Sequence, residues 1–119
     1  MSNSKLSYSR LFRGPELLIE RLAIADSFSA RSRGLLGRSA LSDDEGLLIP
    51  RCQMVHMFFM TFAIDIVFLD AELRVRAIRP NLKPWRVSTY RFDTDSILEI
   101  SVGSVARLNI ARGQQFRLA

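Results

Sequence analysis

Cysteine and histidine occur once each, at Cys52 and His56, and lysine only twice against 15 arginines. A lone cysteine has no partner within the chain, which excludes an internal disulfide and suits a reducing compartment without requiring one. No apolar run approaches the roughly 18 to 20 residues that span a bilayer. The longest candidates are broken by Asp65, Asp70 and several arginines, so no membrane-spanning segment is expected. The first residues, MSNSKLSYSRLFRG, carry positive charge but lack an apolar h-region and a small-residue cleavage site. A cytoplasmic location is therefore expected, and a periplasmic one if a leader has been trimmed. Repeats, low-complexity tracts and linkers are missing too, with proline and glycine falling singly at turns. One domain over residues 1–119, without an internal boundary, is the reading.

The net charge of +5 is spread along the chain rather than gathered into a basic block. A nucleic-acid arm is more often a contiguous Lys/Arg cluster, whereas arginine in such excess over lysine is what a GC-rich coding sequence produces. What the chain does have is 48% hydrophobic residues in short runs separated by polar ones. A domain of this size hides roughly two-thirds of the surface its unfolded chain exposes, enough for one core.

Asp26 and Ser27 are good helix N-caps, so Glu16 to Ala25 is read as a strand before them and Phe28 to Arg38 as a short helix. Within that helix Gly34 hints at close packing and Gly37 serves the C-terminal cap. Beyond the polar loop LSDDEG the pattern is β-structure: Leu47 to Pro50, Val55 to Phe59, Ile64 to Leu69, Leu73 to Ile78, Arg86 to Tyr90, Ile97 to Ser101 and Gln115 to Leu118. The clearest hairpin joins Ile64–Leu69 to the next strand through Asp70, Ala71 and Glu72. Gly103 to Ile110 is read as a helical turn, and Gly113 begins the turn into the final strand. The fold class is mainly β (α+β), a small curved sheet or partly open β-barrel with one or two short helices.

Cys52, His56 and Met60 stand four residues apart and together form the ligand set of soft copper sites. That spacing spans about 13 Å along a strand and about 6 Å along a helix, against metal bonds of about 2.0 to 2.3 Å. All three cannot reach one ion from regular structure, and the alternative is that the methionines and phenylalanines of this stretch fill the core. Cys52 and His56 also make a candidate nucleophile and base, with Asp65 or Glu99 to orient the imidazole, although no cysteine-hydrolase signature surrounds them. Asp65 interrupts an apolar run where a central strand would bury it, so it needs a partner: Arg31, Arg38 or His56. Glu99 in SILEIS is a second acidic residue between apolar ones, either buried with them or pointed at solvent by alternation. Arg74 and Arg76 alternate with Leu73 and Val75, giving one basic strand face that could bind an anion or simply be solvated. No nucleic-acid motif accompanies it.

RSRGLLGR on a helix, then EGLLIP, CQMVHMFFM, IDIVFLD, a proline after the next strand, LEISVG and a late glycine together resemble the domain of unknown function 192 family. The resemblance runs from about residue 23 to 119, and its most specific part is the HMFFM and IDIVFLD block. Matching positions are Arg31, Gly34, Leu35, Arg38, Gly46, His56, Met60, Asp65, Phe68, Asp70, Pro80, Glu99, Gly103 and Gly113. The resemblance implies a small β-rich domain with one or two short helices, and no known activity. Where other members carry an MKNT-type segment this chain has MTFAID, so a polar role there does not transfer. The expected function is a non-catalytic binding or accessory domain for a protein or small-molecule partner, with no cofactor. Its rival is a small enzyme or soft-metal site built on Cys52 and His56 with Asp65 or Glu99.

Overall fold

The structure is a computed structural model and describes residues 6–25, 35 and 37–119. Its elements are β1 (Ser7–Arg13), β2 (Glu16–Ile24), β3 (Glu45–Pro50), β4 (Ile64–Leu69), β5 (Val75–Leu82), β6 (Ser96–Ser101), the short helix α1 (Ser104–Arg107) and β7 (Arg117–Leu118). The strands form one sheet in the order β5-β4-β6-β3-β2-β1-β7. All neighbours are antiparallel except β2 and β3, which run parallel.

The sheet curls until its two edges meet at one end. Residues 113–119 hydrogen-bond to the start of β5, through Val75 N to Gln114 O (2.8 Å) and Phe116 N to Leu73 O (2.9 Å). They also bond to β1, where Ala119 and Arg10 exchange N–H donors. Mainly β structure with one short helix, a curled half-barrel, is what the strand pattern led one to expect.

β4 and β6 are buried on both faces, so apolar residues run through them without alternation. One face presents Ile64, Ile66, Phe68 and Ile97 to a cluster completed by Leu47, Ile49, Val55, Met57 and Met60. The other presents Val67, Leu69, Leu98 and Ile100 to Leu11, Leu22, Ile110 and Phe116.

Two differences from the sequence reading have physical reasons. β1 was not anticipated, because only Leu11 of its seven residues is fully buried and an alternating apolar face is scarcely written in SYSRLFR. Residues 55–59 and 86–90 are not strands: they approach as a two-stranded arm joined by the bridge between His56 and Val87, then turn away. The helix expected over Phe28 to Arg38, and Arg31 with it, falls largely outside the described residues, although Gly37 has the left-handed φ of 84° that suits a C-cap.

Candidate functional site

Asp65 is 1% exposed. Its carboxylate is held by the backbone rather than by the arginine or histidine expected from the sequence. Oδ1 accepts from Asn81 N (2.9 Å), and Oδ2 accepts from Gly103 N (3.1 Å) and Val105 N (2.9 Å). A register shift of β5 against β4 between Ile64 and Ile66 places Pro80 and Asn81 at an irregularity, which turns the Asn81 N–H toward the acid. Gly103, at φ 92°, turns the chain from β6 into α1 so that two further N–H groups converge. A carboxylate accepting three N–H bonds has its desolvation offset locally. Asp65 thereby ties β4, β5 and the β6–α1 turn together. A cleft of about 690 Å³ opens beside it, walled by Pro80, Val105, Asn109 and Ile110.

Glu99 behaves in the opposite way. It is 6% exposed, flanked across the sheet by Ile66 of β4 and Leu47 of β3, and so is not directed at solvent. Alternation offered it a solvent face that β6 does not have. No hydrogen bond or ion pair meets its carboxyl among the described residues, and burial raises its pKa from 4.5 to about 7.

Cys52, His56 and Met60 are put to different uses. Cys52 Sγ donates to Met54 O at 3.0 Å and the side chain packs against the larger core cluster. Met60 is buried in that cluster. His56 is exposed, with its ring stacked on Phe58 at 4.7 Å and Nδ1 accepting from Phe58 N. Among the described residues no group of three or more His, Cys, Asp or Glu is placed to hold a metal ion.

Of the arginines singled out in the sequence, Arg31 lies outside the described residues, and Arg38, Arg74 and Arg76 are answered by acids. Arg38 bonds Glu45 Oε1 at 2.9 Å. Glu45 also accepts from the hydroxyl and N–H of Ser42, and these bonds, with Arg38, hold its pKa down to about 2. Arg74 lies 3.9 Å from Asp70, and Arg76 lies 3.9 Å from Asp70 and 3.4 Å from Asp93. The basic strand face is thus largely neutralised by neighbouring carboxylates.

The feature that sequence reasoning missed is the outer side of the arm. Met57 N donates to Arg86 O (2.7 Å), Trp85 N to Met57 O (2.8 Å) and Ser88 N to Val55 O (2.8 Å), so residues 53–60 and 84–91 run side by side. Val55, Met57 and Met60 point into the core; Met54, Phe58, Phe59, Trp85 and Val87 are exposed. Two four-residue turns end the arm, Met57–Met60 and Lys83–Arg86, each closed by an N–H to C=O bond. In both, the third residue is left-handed: Phe59 at φ 65° and Trp85 at φ 68°. That position ordinarily takes glycine or asparagine, and Pro84 precedes Trp85 where such turns favour proline. The two rings meet at 4.9 Å, and Phe58 lies 6.2 Å from Trp85. A signal was present in the sequence, aromatics at turn positions beside a proline, but core packing explained them equally well.

Among curated proteins, the chain is 31% identical over 99 residues to a UPF0127 protein of Thermococcus sibiricus, a match covering 80% of this chain and 64% of that protein. It is 42% identical over 67 residues to the UPF0127 protein PH1112 of Pyrococcus horikoshii, covering 54% of this chain and 57% of that one. The chain thus spans less than two thirds of the length of these relatives. Two solved structures share the fold. A protein of unknown function from Novosphingobium aromaticivorans superimposes with a TM-score of 0.80 at 24% identity, over 94% of this chain and 84% of that one. A protein from Sinorhizobium meliloti, described as a candidate transcription regulator, does so with 0.82 at 23% identity, over 99% and 97%. The model of the domain of unknown function 192 family, described as an uncharacterized ACR, matches residues 13–118, and the chain belongs to that family, to which no activity is assigned.

Proposed function

We propose that the domain is a non-catalytic binding module whose contact face is the outer side of the arm. The observation that carries this is the pair Phe59 and Trp85, held side by side in left-handed turn positions with 72% and 58% of their surface exposed. A non-glycine residue in that conformation costs about 1 to 2 kcal/mol, and a ring left mostly exposed offsets little of it by burial. Rings displayed at such a cost are explained by what they touch. Exposed tryptophan and phenylalanine clusters are also the side chains that dominate contact energies.

The test compares the chain with its Phe59→Ser, Trp85→Ser double variant as immobilised bait in a lysate of the native source. Both substitutions are at exposed positions, so the fold is retained and is checked by circular dichroism. Material bound by the chain and lost with the variant is the expected result; equal capture by both, or none by either, overturns the reading. The rival site on Cys52 and His56 is favoured only by the raised pKa of Glu99. It requires the alkylation rate of Cys52 to change in His56→Ala.

A further inference from the structure

We infer that the contact face docks on an anionic lipid surface, an inference that rests on the binding-module reading above. The face is apolar at its rings and cationic beside them. Phe59, Trp85, Met54 and Val87 are exposed together on the arm, and Tyr90 and Phe92 follow in the chain, Phe92 with 93% of its surface free. Residues 51–62 and 83–92 contain no aspartate or glutamate, although they hold three arginines, a lysine and His56. Arg91 is answered by Asp93 at 2.9 Å. Lys83 and Arg86, which begin and end the turn that carries Trp85, are exposed and meet no carboxylate among the described residues. Aromatic rings and free cations without acids are the side chains that sit at the boundary between lipid headgroups and acyl chains.

The ring geometry favours a lipid surface over single-stranded nucleic acid. Base stacking needs open, flat ring faces. Here Phe58 has one face against His56 at an interplanar angle of 26°, and Phe59 meets Trp85 at 59°. The rings lean on one another as an apolar knob. Such a knob enters a disordered apolar medium readily and offers a base little to stack on.

Trp85 is the only tryptophan, so its emission reports on this face alone. The chain is mixed with vesicles of phosphatidylcholine, with and without phosphatidylglycerol, and followed by Trp85 emission and co-sedimentation. Expected are a blue shift and sedimentation with the anionic vesicles and at least about tenfold weaker binding to phosphatidylcholine alone. A similar loss is expected on Lys83→Glu with Arg86→Glu, because each cation near an anionic surface is worth about fivefold. Phe59→Ser should lose binding at unchanged urea midpoint. Absence of any shift or sedimentation overturns the inference, as does quenching of Trp85 by an oligothymidylate without vesicle binding, or a sedimentation mass of two copies that buries the face. If the rings still govern capture from lysate while vesicles are ignored, the lipid inference alone falls; if both fail, the binding-module reading falls with it.

Discussion

Around Asp65 and in the arm the chain meets the same backbone problem and answers it in opposite ways. Where β6 turns into α1, the left-handed position is filled by Gly103, and the N–H groups it redirects are taken up by a buried carboxylate. In the arm, left-handed positions are filled by Phe59 and Trp85, whose rings remain in water. Leu73, also left-handed, lies between these cases because its side chain packs against the smaller core cluster. The difference teaches where stability and display are separated: beside the buried acid the left-handed positions go to Gly103 and Asn81, residue types that take them at low cost, and in the arm they go to two aromatic rings.

The strongest way to break the contrast is to remove the acid. Asp65→Ala strips the acceptor from three N–H groups and should cost roughly 3 to 5 kcal/mol in urea unfolding. A loss below about 1 kcal/mol would mean that the interior is not organised around this carboxylate.

Next in size is Glu99, the interior acid that meets no partner among the described residues. Because burial raises Glu99 from 4.5 to about 7, the folded chain keeps a proton that the unfolded chain releases, and stability declines as pH rises through that window. The decline should be on the order of 3 kcal/mol, and Glu99→Gln should abolish it and leave the protein more stable at pH 8. Glu45 acts with the opposite sign: its pKa is lowered to about 2, so its contribution is present above 4.5 and lost as pH falls toward 2. Unfolding curves recorded from pH 3 to pH 8 separate the two.

The smallest effect tests the turns directly. Gly103→Ala meets no atom within 4 Å, so its expected cost of about 1 kcal/mol is conformational alone. Trp85→Gly should leave stability level or raise it by about 0.5 kcal/mol, since relief of strain is partly offset by the freedom glycine adds to the unfolded chain. If Trp85→Gly costs more than Gly103→Ala, the ring is structural and the comparison collapses.

Sequence patterning was informative wherever burial was two-sided or a turn was local. Ile64–Leu69 has the observed bounds of β4, and the Asp70 turn into β5 is held by Asp70 Oδ1 accepting from Glu72 N and Arg74 N. It misled where partners come from the backbone. A buried aspartate suggests an arginine, whereas the groups that meet Asp65 are N–H donors contributed by no particular side chain. For Glu99 the choice between core and solvent stayed open because alternation presumes a one-sided strand, and β6 is buried on both faces. The apolar stretch from Val55 to Phe59 read as a continuous strand, because nothing in those residue types announces that the chain turns at Phe58 and Phe59.

The joining of both sheet edges by residues 113–119 bears on how the chain reaches its native state. Ser9 Oγ donates to Ala119 O across 110 positions of sequence. Pairings this distant form slowly, since most of the chain must be gathered before they contribute. Until then the outer edges of β1 and β5 are exposed at once, and an intermediate with two open strand edges can add a neighbouring molecule to either. The seam that completes the half-barrel is therefore also its protection against growing into a larger sheet.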